Sequence, residues 1–249
     1  MFIEDMTWEE IKNEMDGGKK NVLVMIGAME QHGPHLPLNT DTLDAYIIAR
    51  GVAHKLGNAL VAPVLSLGCS KYHMSFPGTI SLTEKTFQQV LREVCISLDK
   101  HGFRNIIIIT THGGNMGPIE NALKGIRENV SAKIIFVRLD DFDDLVDTAA
   151  RKFLGNRLDD CRLHSCHACL HETSAMLYRC PEKVRKSKIV AGRTKPFDHK
   201  ELLEKGDVKE FSPNGILGDP TLASKELGKI FEEIIIDADV QKIRELLSE

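Results

Sequence analysis

The segment Arg104–Thr111 carries four consecutive isoleucines and constrains the fold more than any other part of the chain. Successive strand residues point to opposite faces, so an unbroken run of β-branched apolar residues has no wet side. Such a strand belongs in the interior of a sheet covered by helices on both faces, the setting of parallel sheets. Three further apolar runs, Asn21–Ile26, Ala59–Leu65 and Lys133–Arg138, read as its companions.

Helical patterns separate these runs. Thr7–Met15 is a short helix capped by Thr7, with Glu9 and Glu10 in its first turn. Thr42–Leu56 stops at Gly57, and Glu84–His101 stops at Gly102. A helix begins at Pro118 and runs to about Asn129. Asp141–Phe153, Glu172–Cys180 and Leu222–Glu249 follow, although Ile234–Ile236 fits a strand as well as a helix. Lys188–Gly215 is irregular and polar. Strands alternating with helices imply an α/β fold with a mainly parallel sheet. Residues 1–249 show no linker or repeat and are expected to form one domain.

The bulk properties remove several classes of function. A net charge of −4 gives no broad footprint for nucleic acid or anionic membrane. No apolar run reaches the ~18–20 residues of a membrane helix. The first twenty residues are acidic and amphipathic and make a poor secretory leader. Six cysteines in 249 residues read as reduced thiols, so a cytoplasmic location is expected.

Chemistry concentrates in the loop after Asn21–Ile26, where Glu30, His32, His35 and Asp41 fall within twelve residues punctuated by Gly33, Pro34 and Pro37. Glu30 and His32 are two apart, so an extended backbone sends both to one face, and His35 has the opposite parity. Zinc, manganese and iron(II) accept this mixture of oxygen and nitrogen donors. The competing reading of Asp41 is a helix N-cap. His112, in Thr111-His112-Gly113-Gly114-Asn115, ends the isoleucine strand and is placed as a further ligand. Its competitor is a phosphate cradle at a helix N-terminus, but no Walker or dinucleotide pattern accompanies it. Both loops fall at the carboxyl ends of strands, where such sheets bind ligands.

A third cluster spans Cys161 to Glu172 and contains His164, Cys166, His167, Cys169 and His171. Cys161, Cys166, Cys169 and Cys180 suggest a thiolate zinc or iron–sulfur module, a non-enzymatic alternative. Only one C-x-x-C occurs, without a second pair at zinc-ribbon spacing. The other reading places His167 and Glu172 in a catalytic site and leaves the thiols as packing residues.

The segments EQHGPHLPLNTD, YHMSFPGTISL, THGGN and HACLHETS, in this order, resemble the creatininase (creatinine amidohydrolase) family. Asn214–Pro220 is similar to that family's C-terminal Gly-Asp-Pro turn. The resemblance implies a three-layer α/β/α sandwich, two divalent metal ions (zinc, or else manganese or iron) and hydrolysis of a cyclic amide or other small-molecule C–N bond. It implies that Glu30 and His112 hold one metal, His32 the other, and Asp41 both. Creatininase itself has a glutamate two residues after the second-loop histidine; here Gly114 stands there. Glu172 is then the candidate donor for the second metal.

His167 corresponds to a family histidine acting near the leaving group, and His73 and Thr79 are candidates for lining the substrate entrance. Two shared cations lower a water's pKa from ~15.7 towards ~7 and make it a nucleophile. Proton transfer by His167 adds about 10²–10⁴-fold. Family substrates include creatinine, a formamidopyrimidine nucleotide, a peptide trimmed in mycofactocin maturation and an oxidised inositol ring. Gly114 and the lack of any tryptophan besides Trp8 disfavour creatinine. A small-molecule substrate and a hexameric homo-oligomer follow from the resemblance, with no nucleic-acid or membrane partner expected.

Overall fold

A computed structural model describes residues 1–158, 166–195 and 206–248. Four parallel strands, β1 (Asn21–Ile26), β2 (Ala59–Val61), β3 (Asn105–Thr110) and β4 (Lys133–Phe136), form one sheet in the order β2-β1-β3-β4. The isoleucine strand β3 is interior, paired along its length with β1 and over four residues with β4.

Alternate strand residues feed two separate cores. Leu23, Met25, Ile107, Ile109 and Ile135 face α2 (Thr40–Leu56), α5 (Phe142–Leu154), α6 (Leu170–Arg179) and α7 (Lys225–Ser248). Val22, Val24, Ile106, Ile108 and Ile134 face α1 (Trp8–Asp16), α3 (Glu84–Lys100) and α4 (Met116–Arg127). The fold is therefore the three-layer α/β/α sandwich. Ile234–Ile236 lies within α7, where Ile235 and Ile236 fill the first core.

The chain leaves β1 in one direction to β2, then returns across the sheet to β3. Right-handed crossovers require the connecting helices to change face at that reversal, and α2 and α3 do lie on opposite faces. The carboxyl ends of β1 and β3 flank the reversal point, the position where open α/β sheets leave a crevice. The loops bearing Glu30 to Asp41 and His112 leave from these two ends.

Helix ends differ from expectation where they matter for the site. The helix expected from Thr42 begins at Thr40, with Asn39 as its N-cap. Asp41 is thus inside the first turn, not the cap, and its carboxylate is released for other contacts. The helix expected from Glu172 begins at Leu170, placing Glu172 in its first turn. Both carboxylates sit where the positive end of a helix favours an anion. Thr7 caps α1 with a reciprocal capping box to Glu10, and Gly57 ends α2 in the left-handed region at φ 75°.

The helix carrying Glu172 is held by unusually close packing against α7. A Cβ built on Gly228 falls 2.0 Å from the Ser174 carbonyl oxygen, which is backbone and has little room to retreat. Gly228→Ala is expected to destabilise the fold by about 1–3 kcal/mol through overpacking, despite the better helix propensity of alanine. Urea unfolding checks this, and an alanine variant as stable as the parent would contradict the tight α6–α7 contact.

Candidate metal centre

Glu30, His32 and Asp41 converge at the reversal point and are almost wholly removed from solvent. Three loops brace them from below. The Glu30 N–H donates to Leu38 O at 2.8 Å, pinning the ends of the first loop together. Asn115, fully buried, accepts from Cys69 N–H (2.8 Å) and donates to Gly27 O (3.0 Å). One side chain thus ties the exits of β1 and β3 to the segment after β2. Glycine is needed where these pieces meet: a Cβ on Gly27 would lie 2.7 Å from the Thr42 backbone, and one on Gly68 would lie 2.4 Å from Asn115 Oδ1.

Asp41 divides its oxygens between two histidines. Oδ1 lies 3.0 Å from His32 Nε2, and Oδ2 lies 3.3 Å from His112 Nδ1. The opposite nitrogen of each ring faces a backbone carbonyl, His32 Nδ1 to Glu30 O at 3.0 Å and His112 Nε2 to Cys69 O at 3.1 Å. An N–H committed to a carbonyl leaves the other nitrogen as the free donor atom, the usual preparation of a metal-binding imidazole. Glu30 Oε2 lies 3.3 Å from His112 Nε2, while Oε1 faces His73 Nε2 at 3.3 Å and His167 Nδ1 at 3.4 Å. Glu172 Oε2 reaches to 3.6 Å from His32 Nε2 and also accepts the Ala168 N–H.

Every one of the eight residues singled out from the sequence is in or beside this centre. His73 is buried against Glu30, well inside the site. Thr79 is buried too, and its hydroxyl accepts the Gln31 N–H at 3.1 Å, so it supports the first loop. His35, of opposite parity, is fully buried, with Nε2 against Thr173 Oγ1 at 2.8 Å. His171 packs edge-on between Phe142 and Phe231 in the core. Gln31, Asn115 and Ser70, whose buried hydroxyl lies 3.4 Å from His112 Nε2, were not anticipated. The signal for Gln31 was its place between Glu30 and His32, and for Asn115 its place at a strand exit after two glycines.

Cys161 and His164 lie outside the described residues. Among the described residues, no thiol joins a trio of metal-binding groups. Burial pushes the Cys166 thiol up to about 12 and Cys169 well above its ordinary value. Thiols held protonated are poor ligands, so the thiolate module finds no support here.

The residues fit a cation. Glu30 Oε1 and Oε2, His32 Nε2 and Asp41 Oδ2 are buried and make no hydrogen bond. Buried carboxylate oxygens and a buried ring nitrogen without partners each cost free energy that a folded chain recovers only through compensation. Three trios place ligand atoms within 4.8 Å of one another: Glu30, His32 and Asp41; His32, His167 and Glu172; Glu30, His73 and His167.

The model of the Creatininase (creatinine amidohydrolase) family matches residues 4–243. The chain belongs to the creatininase family. It is 34% identical over 221 residues to the mycofactocin precursor peptide peptidase of Mycolicibacterium smegmatis, covering 86% of this chain and 81% of that one. Creatinine amidohydrolase of Pseudomonas putida is 27% identical over 260 residues, covering 98% and 96%. A solved manganese form of creatininase superimposes with a TM-score of 0.78 at 27% identity, covering 98% and 97%. Membership makes this chain a metal-dependent amidohydrolase that acts on C–N bonds.

Electrostatics follow from burial and from the crowding of charges. Burial lifts the Glu30 carboxyl from 4.5 to about 7, with the Asp41 charge adding to it and His112 opposing. For Asp41 burial acts upward as well, but His32 and His112 outweigh it and hold the carboxyl below the usual range. Burial depresses His73 to about 3 and drives His167 well down, each helped by the His32 charge, so both rings are neutral at pH 7.

The raised Glu30 value predicts a pH-dependent penalty in chelator-treated protein. Between pH 4.5 and 7 the unfolded chain releases the proton that folded Glu30 retains. The stability this group supports is complete below that interval and lost as pH rises through it. Glu30→Gln should therefore stabilise the metal-free protein by about 1–3 kcal/mol at pH 8 and by little at pH 5. Urea unfolding at the two pH values tests this; an equal gain at both would separate the penalty from ionisation.

Proposed function

We propose that the chain hydrolyses the C–N bond of a small amide at a two-metal centre in which Asp41 is shared. The observation that carries this is the division of the Asp41 oxygens between His32 and His112. Glu30, His112 and Asp41 would then hold one divalent ion, and His32, Asp41 and Glu172 the other. Bound divalent ions would polarise the amide carbonyl and acidify water at neutral pH. Zinc is our first assignment, with manganese or iron(II) as alternatives that the same donor set accepts.

The protein's own groups hold and move protons. His167 Nε2 donates to Gln31 O at 2.7 Å, which leaves Nδ1 as the lone pair facing Glu30. A neutral ring with a free Nδ1 takes up a proton there and hands it to the departing nitrogen. Ala168 adopts φ 53°, unusual for a residue with a side chain. It also gives its N–H to Glu172, so one strained residue fixes both neighbours.

Creatinine is disfavoured as substrate. The creatininase glutamate after the second-loop histidine has no space here: a Cβ on Gly114 would lie 2.4 Å from both Cys69 O and His112 Nε2. Trp8, the sole tryptophan, is 72% exposed on α1 and is in none of the contacts of the centre. Higher identity to the mycofactocin precursor peptide peptidase than to creatinine amidohydrolase supports a second reading, in which the amide belongs to a peptide. We further assign one domain, a homo-oligomer of hexameric type and a cytoplasmic location.

Protein purified without chelator should carry close to two divalent ions per chain by elemental analysis. Asp41→Ala should lose both and His32→Ala one, each with at least a 10²-fold loss of hydrolysis. With zinc or manganese added, creatinine should not turn over, whereas a panel of cyclic amides and short peptides should yield a substrate. Two ions retained in Asp41→Ala would refute the shared carboxylate.

A further inference from the structure

The Gln31 side chain reaches four groups at once, and its hydrogen bonds leave no freedom in the placement of two histidine protons. Its Oε1 accepts the Gly33 N–H at 2.9 Å, and its Nε2 donates to the Gly215 carbonyl at 3.0 Å. These two backbone groups fix the amide orientation without reference to any histidine. The amide nitrogen then faces His73 Nδ1 at 3.0 Å and His167 Nε2 at 2.9 Å. His167 Nε2 also lies 2.7 Å from the Gln31 carbonyl oxygen, a separation that requires the ring to be the donor. With one amide hydrogen on Gly215 and His167 Nε2 already protonated, the second amide hydrogen goes to His73 Nδ1.

We propose that Gln31 is a positioning residue that sorts the histidines around Glu30 by tautomer: its amide keeps His73 protonated at Nε2, as a donor turned towards Glu30, while its main-chain carbonyl keeps the Nδ1 of His167 free. A neutral imidazole that binds a metal through Nε2 carries its proton on Nδ1. The Gln31 amide hydrogen occupies that place, so His73 is excluded as a ligand although Glu30, His73 and His167 are close enough to hold an ion. His73 instead turns a protonated Nε2 towards the Glu30 carboxylate, 3.3 Å away and short of a formed hydrogen bond. Gly215 is part of the device. It sits at φ +78°, and a Cβ there would fall 2.1 Å from Gln31 Oε1.

The tautomer assignment stands on hydrogen bonds alone, whereas its effect on metal rests on Glu30 being a ligand as proposed above. The test is long-range ¹⁵N–¹H spectroscopy of zinc-loaded, ¹⁵N-histidine-labelled protein, with the His73 ring assigned by its loss in His73→Phe. The parent should show His73 and His167 both protonated at Nε2. Gln31→Glu replaces the amide donor with an acceptor and should move the His73 proton to Nδ1, leaving His167 unchanged. Gln31→Met, which has neither, should leave His73 without a single tautomer and weaken zinc 10–100-fold in competition with a chelator. A parent His73 protonated at Nδ1 overturns the proposal without any variant, as does an unaltered His73 in Gln31→Glu. Zinc affinity unchanged in Gln31→Met would remove the link from His73 to the metal. A parent that takes up no zinc would refute the two-metal reading instead, and the tautomers would then be read on the metal-free chain.

Discussion

Two carboxylates taken out of water govern this structure. Glu30 and Asp41 are almost fully buried, and three of their four oxygens make no hydrogen bond. An isolated buried carboxylate is among the most expensive groups a fold can hold, and its charge must be met by a counter-charge or a cation. The surroundings are arranged to that end. His32 and His112 face Asp41, the first turn of α2 places Asp41 at the positive end of a helix, and α6 brings Glu172 alongside. The metal-free site stores an unfavourable energy that divalent ions relieve.

The sheet makes such a concentration of charge possible. At the reversal between β1 and β3 two strand ends open towards the same crevice. Loops from both ends and from the segment after β2 must approach within van der Waals contact there. Gly27, Gly68 and Gly114 allow it, and Asn115 replaces with hydrogen bonds the packing that missing side chains cannot provide.

Much of this was legible in the sequence, for identifiable reasons. Buried parallel strands are unbroken apolar runs, so Asn21–Ile26 was read to the residue and the isoleucine strand to within one residue at each end. Glu30, His32, Asp41 and His112 stood out because ionisable residues seldom follow such strands by chance. Asp41 was harder, since a cap and a free carboxylate differ by where a helix begins, and α2 begins two residues earlier than its apolar pattern. Ile234–Ile236 fits either period until α7 is seen packed on the sheet. Gln31 and Asn115 were illegible as actors: a neutral amide reveals nothing until its four neighbours, from Gly33 to Gly215, are placed in space.

Gly114 shows how one fold carries different chemistry. With Cys69 O and His112 Nε2 both 2.4 Å from a hypothetical Cβ, no acidic side chain can project from this turn without moving the β3 exit. The carboxylate that does approach the His32 side is Glu172, from the first turn of α6. That helix is joined to a different part of the chain. The residue preceding the Ala168 turn, His167, pairs through its backbone with Leu217, one residue before Gly218. The position of Glu172 is therefore coupled to the 214–220 turn, and that turn holds Gln31 through Gly215. A substitution in the turn would therefore reach the centre by two routes, through Glu172 and through His73, without touching either residue.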